Sequence, residues 1–378
     1  MTRAGFDFDA LTERAATWST RWDRYAGRDV IPLWVADTDF RAPPAVLDAL
    51  AARVEHGVLG YTQPPAALRE AIVERMRRLY GWRVDAEWIV FLPGVVPGLH
   101  LAARTLLAPG EHALVPTPIY HHFKRALELA PRAHSDLPLV LQQGRWVYDL
   151  DRVRKAMRPE TRVFFLCNPQ NPGGTIFTAA ELRALAEATR DAIIVSDEIH
   201  CDLLLDEGKR HVPIASIAPE LGRRTVTLMS PNKAYNFPGA GCAWAIIEDA
   251  ALRRAFAADV VAHLVPSPTV FGYAASLAAY RDTSGWLDAQ VAYLRANRDL
   301  VERGIDLPMA HVEATYLAWI DCTGLGVKDP HAHFVAHGVA PSPGAQFGAP
   351  AFVRLNFGTQ RSRLEEALRR MRGAIAQA

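Results

Sequence analysis

Between residues 89 and 247, short apolar runs alternate with amphipathic ones, and this pattern narrows the fold further than any other feature of the chain. Residues 89–92, 112–115, 163–167, 193–196 and 225–229 read as strands, and 97–107, 119–129 and 179–190 as helices. Residues 243–247 read as a hairpin partner for 225–229. Several of these strands are apolar throughout rather than on alternate positions, which suits a strand covered on both faces. Strands alternating with helices imply an α/β fold built on a mostly parallel sheet, whose ligands bind beyond the carboxyl ends of the strands.

The rest of the chain reads as additions to that sheet. Residues 1–30 hold charged and aromatic side chains with weak periodicity, expected as an arm with a short helix, and 31–40 (IPLWVADTDF) as a strand-like piece. Pro43-Pro44 opens a helix to about Arg53, and residues 66–80 carry Leu68, Ile72, Met76 and Leu79 at helical spacing. Beyond about 275 the texture changes to a long helical pattern (284–302), a strand (316–320), a helix (331–336), a strand (352–357) and a closing helix from Arg361. The expected division is an arm (1–45), a large domain (46–275) and a smaller α/β domain (276–378), and 378 residues suit about two domains.

With 42 basic and 41 acidic residues the chain has no electrostatic footprint for nucleic acid or an anionic membrane. No apolar run reaches the ~18 residues of a membrane span. The four cysteines (Cys167, Cys201, Cys242, Cys322) are scattered without metal-ligand spacing, so no metal is expected. Mostly apolar neighbours and the lack of a signal-like N-terminus point to reduced cysteines in a cytoplasmic protein.

Five stretches carry chemistry. In TVTLMSPNKAYNFPG (225–239) a buried strand ends at Ser230-Pro231 and presents Lys233. A lysine held beside apolar surface loses hydration, and its lowered pKa yields an amine suited to Schiff-base chemistry. The same lysine also reads as an ordinary surface residue. FLPGVVPGL (91–99) is a strand, a glycine turn and a helix start, where the backbone N–H groups of Gly94, Val95 and Val96 make an anion site or simply a βα turn. FFLCNPQNPGG (164–174) offers the Asn171 amide as a donor, or a turn made by Asx and Pro residues.

IIVSDEIH (193–200) ends a buried strand with Asp197. A carboxylate there needs a partner, or caps the next helix. A protonated pyridine nitrogen at about 4 Å would supply roughly 4 kcal/mol at an effective dielectric near 20. FVRLNFG (352–358) sets Arg354 between apolar residues, suited to bidentate capture of a carboxylate or to a structural ion pair.

Together with WSTRWDRY, IPLWVADTDF (31–40), GYT (60–62), PTPIYHHF (116–123) and SDEIHCDL (196–203), these motifs resemble the fold-type I pyridoxal-phosphate enzymes of the class I/II aminotransferase superfamily. Within it the likeness is to the cystathionine β-lyase-like C–S lyases of MalY/PatB type, and it runs over essentially the whole chain from about residue 6. The resemblance implies an aspartate-aminotransferase-like fold with a seven-stranded-type sheet, pyridoxal 5'-phosphate as cofactor, and a homodimer with shared sites. Lys233 would bind the cofactor as a Schiff base and move the Cα proton, and Asp197 would pair with the ring nitrogen. Asn171 would hold the phenolate oxygen, close to the substrate, with His200 nearby, and Tyr120 would stack on the ring. Gly94, Val95, Val96 and Ser230 would bind the phosphate, and Tyr61 would reach the neighbouring subunit's phosphate. Arg354 would hold the substrate carboxylate, with Asp37 also on the substrate side.

The chain departs from the pattern at Gly241, where many superfamily relatives carry a phosphate-binding Arg, and at Thr38, Gln170, Thr175 and Asn232. These changes are expected around cofactor and substrate. The leading expectation is a C–S β-lyase acting on cystathionine or another S-substituted cysteine. An aminotransferase would use the same residues, and a regulatory protein that keeps the fold is the third reading.

Overall fold

A computed structural model describes residues 5–378, so residues 1–4 of the expected arm lie outside it. The thirteen strands among these residues are β1 (Ile31–Leu33), β2 (Ile89–Leu92), β3 (His112–Thr117), β4 (Ala133–Pro138), β5 (Val140–Gln142), β6 (Arg145–Val147), β7 (Thr161–Cys167), β8 (Ile193–Asp197), β9 (Thr225–Met229), β10 (Ala243–Ile246), β11 (Leu317–Asp321), β12 (Val339–Pro343) and β13 (Phe352–Asn356).

Seven of them form one sheet in the order β2-β10-β9-β8-β7-β3-β4. Every neighbouring pair is parallel except the two made by β10, which runs against both β9 and β2. β2, β3, β7, β8 and β9 therefore all point the same way, and the loops that follow them open on one edge. In register, Cys167 pairs with Asp197 and Asp197 with Leu228, which brings three strand ends to one level. The expected hairpin of 225–229 with 243–247 is present.

β7, β8 and β9 are buried or nearly so at almost every position because helices cover both faces. On one face, the helix Val95–Thr105 lies against β9 and β2 at Gly98. A Cβ there would meet Leu228 at 2.9 Å and Leu92 at 3.0 Å. This close approach sets the helix N-terminus over the strand ends. Phe123, Phe165 and Val226 belong to the core on that face, and Phe164, Phe177 and Leu182 to the opposite one.

A second sheet runs β1-β12-β13-β11. Leu33 of the arm pairs in parallel with β12, so the segment that follows, Trp34–Asp39, is drawn across the mouth of the first sheet. The borders expected at 45/46 and 275/276 fall inside the helices Pro44–His56 and Val270–Arg281. The change in texture expected beyond about 275 falls within Val270–Arg281, and the turn before the helix Trp286–Gly304 follows it. No helix among the described residues is long and apolar enough to cross a membrane.

Candidate active site

A cavity of about 310 Å³ opens where these strand ends meet the second sheet, and its wall includes Gly94, Val95, Val96, Tyr120, Asn171, Asp197, His200, Lys233 and Arg354. Those residues come from six separate stretches of chain, and the parallel direction of the strands delivers five of them to one edge.

The short turn after β9 carries Lys233 into the cavity, where its Nζ donates to the Ala36 carbonyl at 2.5 Å. Burial lowers its pKa to about 8, with Arg354 pushing the same way and Asp37 and Asp197 opposing. An amine near that value is partly free at neutral pH, as a nucleophile or base must be.

Asp197 ends β8 with one oxygen accepting from the Ile199 backbone N–H at 3.0 Å. No helix begins there, so the capping role is not taken up. Burial raises its pKa to about 7 in spite of the Ile199 N–H and Lys233. A carboxyl group so placed lacks a cationic partner of sufficient strength, and a protonated ring nitrogen would supply one.

His200 is buried and lies edge-on to Tyr316 at 6.0 Å, and its Nδ1 has no hydrogen-bond partner. Burial, with help from Lys233 and Arg354, lowers its pKa to about 3 and keeps the ring neutral. Tyr120 lies on the turn before the helix His122–Leu129, which starts later than the sequence pattern suggested.

The Arg354 side chain projects from β13. Its Nη1 donates to Asn171 Oδ1 at 3.0 Å, and its Nη2 to the Trp34 carbonyl at 2.9 Å and the Ser342 hydroxyl at 3.2 Å. The guanidinium stands over the Phe347 ring at 4.6 Å. Burial lowers its pKa to about 10, and among the described residues no carboxylate lies within ion-pair distance. A buried cation without a counter-ion is a site for an anionic ligand, which decides against the structural ion pair.

Three expected site residues are placed elsewhere. The Asp37 carboxylate turns away from the cavity to Arg14 (2.9 Å) and Arg21 (3.4 Å), which draw it into the fastening of the arm. The Ser230 hydroxyl donates to the Cys242 carbonyl at 2.7 Å and accepts from the Asn232 N–H, so it is spent on the turn and does not line the cavity. Tyr61 is fully exposed in the loop after the helix Pro44–His56 and does not line this chain's own cavity.

The departures from the family pattern are also relocated. Gln170 is buried and ties its own loop, donating to the Pro118 carbonyl at 2.7 Å and accepting from the Gly173 N–H. Thr175 accepts from the Trp146 N–H, and the Thr38 N–H donates to Asn236. None of these three lines the cavity, whereas Asn232 does. At Gly241 a Cβ would meet the Pro93 carbonyl oxygen at 2.5 Å, which explains why no arginine stands there.

Trp34, Ala36, His121, Ser342, Gln346 and Phe347 also line the cavity and were not singled out from the sequence. His121 carries a signal as the neighbour of Tyr120 in the YHHF motif, and Trp34 and Ala36 carry one through IPLWVADTDF.

The residues present suit pyridoxal phosphate: an amine, a carboxyl group wanting a cationic ring nitrogen, an amide, and free N–H groups at a helix start. Residues 28–371 match the sequence profile of the family described as aminotransferase class I and II. Cystathionine beta-lyase PatB of Bacillus subtilis is 34% identical, the match covering 98% of this chain and 100% of that protein. Among solved structures, that of OvoB is 45% identical with a TM-score of 0.95, covering 99% of this chain and 100% of that one. Cystalysin from Treponema denticola, solved with its pyridoxal 5'-phosphate cofactor, is 27% identical with a TM-score of 0.94, covering 99% and 100%. The chain thus belongs to the aminotransferase class I and II family of pyridoxal-phosphate enzymes, in its cystathionine β-lyase-like C–S lyase branch.

Proposed function

We propose that this chain is a C–S β-lyase that converts S-substituted L-cysteines to pyruvate, ammonia and a thiol. The convergence of Lys233, Asp197 and an anion-free Arg354 on one cavity supports the pyridoxal-phosphate chemistry, and the likeness to cystathionine beta-lyase PatB supports its lyase outcome. Bound pyridoxal phosphate supplies an electron sink for the pair left at Cα when its proton is removed. Arg354, whose Nε has no partner among the described residues, takes the substrate carboxylate and orients the substrate towards Lys233. Lys233, its pKa lowered to about 8, accepts that proton at Nζ. Asp197 would hold a proton on the ring nitrogen, and Asn171, whose Oδ1 is taken by Arg354, would have its NH2 left for the phenolate oxygen. Val95 and Val96, at the start of the helix Val95–Thr105, would give their N–H groups to the phosphate. The thiolate departs from Cβ.

The enzyme acts as a homodimer in this reading. Tyr61, Val58, Leu59 and Val54 form an exposed, largely apolar stretch that suits a partner surface, from which Tyr61 reaches the other subunit's phosphate. The four cysteines are free and buried, in keeping with a cytoplasmic enzyme.

Product analysis with L-cystathionine and S-alkyl cysteines, with and without a 2-oxo acid, tests the reading. Pyruvate, ammonia and free thiol in the absence of a 2-oxo acid are expected. Amino-group transfer without thiol release would make this an aminotransferase.

A further inference from the structure

Residues 34–37 cross the mouth of the first sheet with each main-chain carbonyl held by a side chain. The Trp34 carbonyl accepts from Arg354 Nη2 at 2.9 Å and from the Ser342 hydroxyl at 2.7 Å. The Ala36 carbonyl accepts from Lys233 Nζ at 2.5 Å and from the Tyr316 hydroxyl at 2.9 Å. Those of Val35 and Asp37 both accept from Asn356 Nδ2. Two carbonyls of one short segment thus meet the residue that anchors the substrate and the residue that takes its proton.

Each of these two carbonyls has a second donor from the β1-β12-β13-β11 sheet or its approach. Ser342 stands opposite Arg354 in the β12–β13 pair. A guanidinium only donates, so the Ser342 hydroxyl accepts from Nη2 at 3.2 Å and gives its own proton to Trp34. Tyr316 immediately precedes β11, and its own carbonyl accepts from the Phe357 N–H at 2.9 Å. Its ring is buried and does not line the cavity, so its hydroxyl acts on the site through Ala36. All of these bonds lie within one subunit, and Tyr316 and Ser342 are buried in it.

We infer that residues 34–36 form a positioning strap shared by two steps, in which Tyr316 steadies the Ala36 carbonyl that aims Lys233 and Ser342 steadies the Trp34 carbonyl that aims Arg354. This rests on the roles given above to Lys233 and Arg354. A carbonyl oxygen has two lone pairs and keeps both donors at once. The ammonium formed when Lys233 takes the Cα proton has the Ala36 carbonyl to donate to. A base that loses its aim slows the chemical step, whereas a carboxylate anchor that loses its aim weakens binding. Tyr316 and Ser342 therefore act on different constants through one segment.

The test follows exchange of the Cα proton of L-alanine in D2O by NMR, using the holoenzyme at several alanine concentrations. The alanine dissociation constant is read separately by absorbance titration. L-Alanine has no leaving group at Cβ, so exchange reports proton removal whichever reaction the enzyme completes; thiol release from S-alkyl cysteines is measured alongside. Tyr316→Phe is expected to slow exchange at saturating alanine about five- to tenfold, the worth of one neutral hydrogen bond, with the dissociation constant within about twofold. Ser342→Ala should raise the dissociation constant about five- to tenfold and leave saturated exchange within about twofold. Thermal unfolding of the cofactor-free variants confirms that each is folded.

A merely structural strap would loosen both contacts together, so the same kind of change in both variants overturns the inference. A variant that moves neither readout overturns the role of its residue. Wild type that binds alanine without exchanging its Cα proton overturns the role of Lys233, and the inference with it. The expected split without thiol release would support the strap while overturning the lyase reading.

Discussion

Arg354 and Asn171, 183 positions apart in the chain, meet through a hydrogen bond of 3.0 Å from Nη1 to Oδ1. The guanidinium orients the amide, and the amide in turn occupies one donor of a cation that has no carboxylate partner. Substrate anchoring and the phenolate contact are thereby linked.

Arg354→Gln and Asn171→Ala should each lower kcat/KM by roughly 10- to 100-fold, the range for a hydrogen bond to a charged group. Arg354→Gln should act mainly through KM. The double variant should lose less than the product of the two single effects, because both remove the same contact. Steady-state kinetics in a double-mutant cycle measure this coupling, and independent effects would break the proposed link.

Asp197 predicts an inversion of stability on cofactor binding. Its carboxyl ionises near the ordinary 3.8 in the unfolded chain and near 7 in the folded one, because of burial. Between those values the folded state holds the extra proton, so stability falls as pH rises from about 4 to about 7, by up to about 4 kcal/mol. Cofactor-free Asp197→Asn should therefore be more stable than cofactor-free wild type at pH 8, the gap shrinking towards pH 4. With pyridoxal phosphate the order should reverse, because the carboxylate gains its partner. Urea unfolding at both pH values, with and without cofactor, checks the sign.

Gly241 is a steric rather than a chemical departure from the superfamily. Gly241→Ala would press a Cβ to 2.5 Å from the Pro93 carbonyl oxygen, immediately before the Gly94 turn. A loss of about 1–3 kcal/mol is expected, together with weaker cofactor retention as the turn moves. Thermal unfolding of the cofactor-free protein and cofactor titration measure the two effects, and an arginine at this position should do no better.

The arm separates structural from substrate carboxylates. Arg21 is wholly buried, donating to the Pro32 carbonyl at 2.6 Å and pairing with Asp39 at 3.2 Å. Burial opposes ionisation of Asp39, yet Arg21, Thr359, Trp22 and Arg14 outweigh it and hold its pKa below the ordinary value. Arg21→Met should cost about 3–5 kcal/mol by stranding that charge. Asp37→Asn, by contrast, should leave KM within about twofold, since its carboxylate turns to Arg14 and Arg21 and does not line the cavity. Denaturant unfolding and steady-state kinetics on the two variants make the comparison.

Where a segment buried both faces of a strand or one face of a helix, its pattern was legible: 89–92, 225–229 and 66–80 coincide with observed elements. β4, exposed at Ala133, Asp136 and Pro138 with one buried position, and the two-residue-turn pair β5 and β6 offer no such pattern. β12 reads Val-Ala-Pro-Ser-Pro, and its two prolines are signals against a strand. The helices Leu150–Ala156, Ala250–Val261 and Val270–Arg281 are not among the helices expected from the sequence, the last of them apolar on several sides because it packs between other helices.

The sequence by itself determined the strand-end chemistry: an amine after one buried strand, a carboxyl group at the end of the next, an amide loop after a third. Each is written in consecutive residues, because a buried strand is a local apolar run and its successor must lie at the sheet's edge. Only the tertiary structure decided where side chains from distant segments turn. Lys233 rests on a carbonyl 197 positions away, Asp37 goes to Arg14 and Arg21 rather than to the cavity, and Gly241 has no room for a side chain. His121 lines the cavity together with Gln346 and Phe347, where a turn near residue 119 is tied to one near 347. Side-chain direction and free volume are set by non-local neighbours, and no run of adjacent residues encodes them.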